Sequence, residues 1–217
     1  MAIRGLCRLP ELARIAMTQP SGFSLLDHAR ESLGNSLVTA LTDLPPMPGV
    51  RLRALTVNRD PRGTLTELLR ADWPDVYGTD SPFAQTYVSV TVPGIARDEL
   101  QWHVHQHQTD RFVVLSGSIA VAIADARPDS PTQGVLAIVL LTAAPDAPAP
   151  FLLTVPPGTL HGLLAVGDQP AVLQNFPTRL WDASDEGRVA ILGSGVKFPG
   201  GEAFSWESVR QALTVRG

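Results

Sequence analysis

The chain has 217 residues, 44% hydrophobic and 18% charged, with a formal net charge of -4, which is enough for one domain with a well-buried core. An acidic balance without any basic run excludes a surface built to neutralise phosphates, so nucleic acid is not an expected partner. Lys197 is the only lysine, leaving one candidate for Schiff-base chemistry, and a single cysteine, Cys7, excludes an internal disulfide framework and a cysteine zinc cluster.

Residues 1–48 read as a helical N-terminal extension. Apolar positions recur at helical spacing in LPELARIAM and in SLLDHARESLG, where Ser24 and Asp27 form a capping-box pattern and Gly34 supplies a stop. The opening MAIRGLCRLPELARIAM carries Arg4, Arg8 and Arg14 but no continuous apolar core of the signal-peptide kind. The longest apolar run, Val135 to Leu141, is too short to cross a bilayer as a helix. Together these features predict a cytoplasmic protein with no membrane partner. LPPMPGV at 44–50 then marks a boundary.

Over residues 49–197 the period changes to two. VRLRAL alternates apolar and basic positions, and FAQTYVSVTV, FVVLSGSIAVAIAD, VLAIVLLT, FLLTV and AVLQNF are apolar runs, most of them rich in β-branched residues. About nine or ten short strands are expected, with ARPDSPTQG and AAPDAPAP as hairpin loops, which predicts an all-β sandwich or jelly-roll barrel. Residues 198–217 form a tail in which Ser205 is the expected N-cap of a short closing helix.

The chemistry concentrates in WHVHQHQTD, residues 102–110. On a strand His103 and His105 share one face while Trp102 and Val104 point the other way. Asp110 follows a bend that leaves His107 at the surface, and PPGTLHG brings His161 from far along the chain. Three histidines and a carboxylate, His103, His105, Asp110 and His161, suit one divalent Zn, Fe, Mn, Ni or Cu ion. The bland alternative is a solvated strand with incidental histidines.

H-x-H-x4-D-x6-G followed by P-x-G-x2-H resembles the two cupin motifs. Across roughly residues 48 to 192, DPRG, FAQTYVS, SPT and PPGTLHG, in that order, resemble the nucleotide-sugar 3,5-epimerases. The resemblance implies a jelly-roll homodimer that moves a proton alpha to the carbonyl of a 4-keto nucleotide sugar without a metal, with His103 as the base. It also implies that Phe83 and Gln85 line the substrate pocket, that Arg62 clamps an anionic group, and that His161 belongs to the same pocket. Where that family has Arg-Gly ahead of the base, this chain has Leu100-Gln101; its active-site lysine falls on Asp110, and its tyrosine belongs near Leu180 and Trp181. Tyr87 shares a strand face with Phe83, Gln85 and Ser89 by parity, so it is a candidate proton donor. Two alternatives stay open at this point: a metal-dependent oxygenase or lyase, in which three protein ligands leave open positions for dioxygen or substrate, and a noncatalytic sugar-binding cupin.

Overall fold

A computed structural model describes residues 22–143 and 150–214. Cys7 and the LPELARIAM segment lie outside them. Thirteen strands and two α-helices follow one another in the order α1 (Gly22–Leu33), β1 (Leu37–Val38), β2 (Arg51–Ala54), β3 (Val57–Asp60), β4 (Gly63–Thr66), β5 (Tyr87–Thr91), β6 (Gln101–His105), β7 (Asp110–Ser116), β8 (Ser118–Ala124), β9 (Leu136–Thr142), β10 (Phe151–Val155), β11 (Leu160–Val166), β12 (Ala171–Asn175), β13 (Glu186–Ala190) and α2 (Trp206–Leu213). They form a six-stranded sheet, β1-β9-β8-β11-β6-β13, facing a five-stranded sheet, β2-β10-β7-β12-β5, with β3 and β4 as a separate hairpin. This is the expected jelly roll.

Strand β8 shows why the sequence folds this way. In SIAVAIA the alternation is one of size: Ile119, Val121 and Ile123 fill the space between the sheets, while Ala120, Ala122 and Ala124 face the helices. Small residues on the outer face let α1 and α2 sit close to the sheet. Ala29 and Leu33 of α1 meet Trp206, Val209, Ala212 and Leu213 of α2 there, and Gly162 of β11 is part of the fit, since a Cβ at that position would stand 2.6 Å from Cζ2 of Trp206. The outer face of the other sheet is covered by Leu55, Val76 and Phe176, with Leu68, Leu69 and Trp73 at the edge.

The element ends follow local chemistry. Ser205 caps α2 as expected, its hydroxyl accepting from the Ser208 backbone N–H. Helix α1 stops where Gly34 takes φ 57°, a left-handed conformation that glycine adopts without a Cβ clash. Ser24, expected as its cap, lies inside α1. The strand expected over FAQTYVSVTV is also shorter, because Phe83 and Gln85 precede β5, which opens only at Tyr87. Pro82, with no N–H to give to a ladder, stands just before them. Among the described residues no helix is long and apolar enough to cross a membrane.

Candidate active site

Trp102 fixes the direction of β6. Its side chain is fully buried on the helix side, with ring centroids 4.5 Å from Phe204, so the alternation turns His103 and His105 into the barrel. Register brings the rest of one wall: His161 of β11 and Arg188 of β13 both pair with His103, and Glu186 pairs with His105. The opposite sheet brings Asp110 at the start of β7, Asn175 at the end of β12 and Tyr87 at the start of β5, where Asn175 and Tyr87 are register partners. Between the walls lies a cleft of about 370 Å³, lined by Tyr87, Arg97, His103, Asp110, His161 and Arg188 among others.

The hydrogen bonds assign the protons. Asp185 accepts from the backbone N–H groups of His107 at 2.7 Å and Gln108 at 3.1 Å, and its Oδ2 stands 3.2 Å from Nδ1 of His105. A carboxylate so placed can only accept, so the neutral His105 ring carries its proton on Nδ1 and its lone pair on Nε2. That lone pair receives Nε2–H of His103 at 2.9 Å and the Gln108 amide at 3.0 Å. His103 therefore keeps Nδ1 as its basic nitrogen. Burial, helped by the nearby His161 and His105, holds the His103 imidazole down at about 3, so it is neutral under ordinary conditions.

Asp110 is fully inside the protein, with Oδ1 accepting from Gln108 at 2.9 Å and Asn175 at 2.7 Å. Burial alone would raise its carboxyl, but His161, His105 and Asn175 outweigh that and hold it below the usual carboxylate range. Its Oδ2 lies 3.4 Å from Nε2 of both His105 and His161. Tyr87 shows 47% of its surface to solvent, yet its hydroxyl meets Asn175 at 2.9 Å. Burial of that end and the charge of Asp110 raise the phenol above its ordinary value.

The structure thus brings together His103, His105, Asp110, His161 and Tyr87, as the sequence suggested. A ligand grouping other than the expected four is also present: among the described residues the donor atoms of His103, His105 and Glu186 lie within 4.8 Å of one another, while Asp110 is held through Oδ1 by Gln108 and Asn175. Arg62 stands apart, in the β3–β4 turn, paired with Asp60 at 2.6 Å with 90% of its side chain exposed, and lines a different hollow with Asn58 and Leu65. Phe83 and Gln85 are not among the residues lining the His103 cleft. Asp185, Gln108 and Asn175 are not legible from the sequence: Asp185 and Asn175 are single polar residues with no motif around them, and Gln108 falls on an unspecified position of the H-x-H-x4-D motif. The hint for Asp185 was its place in a turn beside an acidic neighbour.

A jelly roll with a cleft lined by both an imidazole and a phenol fits an enzyme of the cupin type that moves protons on a small molecule. The sequence profile of dTDP-4-dehydrorhamnose 3,5-epimerase matches residues 45–199. The chain is 40% identical over 143 residues to the probable low-salt glycan biosynthesis epimerase Agl13 of Haloferax volcanii, covering 65% of this chain and 85% of that one. It is also 29% identical over 143 residues to the spore coat polysaccharide biosynthesis protein SpsL of Bacillus subtilis, with 65% and 87% covered. Among solved structures, a dTDP sugar isomerase from Desulfovibrio desulfuricans superposes with a TM-score of 0.64 at 29% identity, over 79% of this chain and 99% of that one. The fold is shared too by ChmJ, a 3'-monoepimerase from Streptomyces bikiniensis solved with dTDP-quinovose, with a TM-score of 0.60 at 23% identity over 71% and 77% of the two chains. The chain belongs to the dTDP-4-dehydrorhamnose 3,5-epimerase family and is an epimerase of the nucleotide-sugar type.

Proposed function

We propose that the cleft epimerises a 4-keto sugar carried on a nucleoside diphosphate, with His103 removing the proton beside the carbonyl and Tyr87 returning one. The observation that carries this is the placement of the two groups on opposing sheets: His103 on β6 of the six-stranded sheet, Tyr87 on β5 of the five-stranded one. A substrate between them loses hydrogen from one face and regains it on the other, which is what inversion requires.

The His103 ring alone is a weak base, so the hydrogen-bonded chain behind it matters. As Nδ1 takes the substrate proton, Nε2–H can pass to His105, whose cationic ring is then neutralised by Asp185 and Asp110. His161, on the same wall, is placed to hydrogen-bond the carbonyl oxygen as it gains charge. Tyr87, protonated across the working range, supplies the second proton.

The test is deuterium uptake from solvent into a dTDP-4-keto-6-deoxy sugar, followed by NMR in the presence of a chelator. Uptake that His103→Ala abolishes supports the proposal; undiminished uptake in that variant overturns it, and ligand binding without any uptake by the wild type points to a noncatalytic binding protein.

A second reading rests on the grouping of His103, His105 and Glu186. With His105 Nδ1 held by Asp185, its Nε2 lone pair is oriented as a ligand, and a divalent ion held there would polarise the carbonyl. Activity lost to chelator and restored by a divalent metal would favour it. We further infer a homodimer working in the cytoplasm. Val88 and Val90 of the edge strand β5 and Val92 just past its end stand 55%, 62% and 57% exposed, a row that a second copy would cover. A wild-type dimer that Val90→Asp converts to monomer in light scattering is the expected result.

A further inference from the structure

Arg97 is the unpaired cation of the cleft. Its backbone N–H is fixed on the Leu163 carbonyl at 3.0 Å, and its guanidinium reaches Thr91 Oγ1 at 3.5 Å, with no carboxylate in ion-pair range among the described residues. Its neighbours are engaged. Arg188, on β13 of the sheet to which Arg97 is bonded, stands 3.5 Å from Asp98 and 3.9 Å from Glu186, and Arg210 is held by Glu99 at 2.7 Å. Arg62, the residue that the sequence offered as an anion clamp, is closed on its own turn by Asp60.

We propose that Arg97 receives the diphosphate of the substrate, with Arg188 as the second, weaker donor. A guanidinium fork matches two phosphate oxygens at once, and a ligand anion there meets no resident carboxylate that it must displace. Asp98 beside it is paired with Arg188 at 3.5 Å rather than with Arg97. From Arg97 the sugar extends inward to His103, which lines the same cleft. This assignment rests on the nucleotide-sugar function proposed above.

The experiment compares binding of dTDP, thymidine and inorganic pyrophosphate to the wild type, Arg97→Ala and Arg97→Lys by calorimetry, with steady-state kinetics on the same proteins. The expected result is dTDP binding weakened about tenfold or more in Arg97→Ala, partly restored in Arg97→Lys, and thymidine binding unchanged. The loss in kcat/KM should be carried by KM, and pyrophosphate should compete with dTDP in the wild type alone. Arg97→Ala binding dTDP within twofold of the wild type overturns the assignment while leaving the epimerase function standing. A wild type that takes up deuterium but does not bind dTDP also overturns it; one that does neither overturns the function on which it rests. Melting temperatures within a few degrees across the series, or Arg97→Gln in place of an unstable alanine variant, separate binding from folding.

Discussion

Asn175 donates from Nδ2 to the Tyr87 hydroxyl at 2.9 Å, and its Oδ1 accepts from the Arg111 backbone N–H at 2.9 Å, which fixes which way the amide faces. The Tyr87 oxygen is therefore already accepting, and its own O–H is free for a substrate in the cleft. Tyr87→Phe removes that proton while leaving the His103 wall intact. We expect inversion to fall by about 10²–10³-fold, while deuterium still enters from the His103 side without change of configuration. NMR of the recovered sugar distinguishes the two, and inversion at the wild-type rate would rule Tyr87 out as the donor.

Asp185 makes a comparable case from the other wall. Its contact with His105 Nδ1 sets the tautomer that lets His105 accept from His103. In Asp185→Asn an amide can donate to Nδ1 and turn the proton to Nε2, which reverses the chain. A drop in kcat of about 10²-fold or more with KM little changed is expected. A simultaneous rise in KM and loss of melting temperature would mean instead that the loop held by the His107 and Gln108 N–H groups had collapsed.

These two residues also show where the sequence stopped being legible. The strands with an apolar face, β7 to β10 and β12, were readable from their runs, and His103, His105 and His161 from their spacing. Strands β3, β4 and β13 were not, because they lie mostly exposed and carry no alternation to read. Asp185 and Asn175 meet the residues they hold only through register, 80 and 65 residues along the chain from those partners. Arg111 is a further case: fully buried, it donates to the carbonyls of Val76, Ser81, Pro82 and Phe176 and ties the 70–86 segment to β7. Nothing in DRFVV distinguishes it from a solvated arginine.

The pH dependence of catalysis follows from His103. Its native value of about 3 lies below the ordinary imidazole value near 6.5, so the ring stays neutral well into acid. The acid limb of kcat/KM should fall below pH ~5 rather than near 6.5. Stability carries the opposite cost: between those values the unfolded chain binds a proton that the native ring does not, so the fold weakens as pH falls through that window. His103→Asn should flatten that part of the stability profile, as read by denaturant melts at a series of pH values.

Asp125 governs a second pH effect, away from the cleft. Its side chain is fully buried at the start of the SPT loop, accepting from Arg127 at 2.8 and 2.9 Å and from the Ser130 and Thr132 hydroxyls, both at 2.6 Å. Arg127 foremost, and the two hydroxyls against the opposing effect of burial, hold its carboxyl far below the usual carboxylate range. A depressed native value means that the stabilisation is complete above the unfolded value near pH ~4 and is lost progressively as pH falls below it, because the unfolded chain then takes up the proton first. Asp125→Asn leaves Arg127 without its partner and should cost about 3 kcal/mol at neutral pH, with the difference from the wild type shrinking as the pH is lowered through 4. Melts at pH 7, 5, 4 and 3 read both quantities together, and a constant difference across that series would show that Asp125 is not the group that titrates.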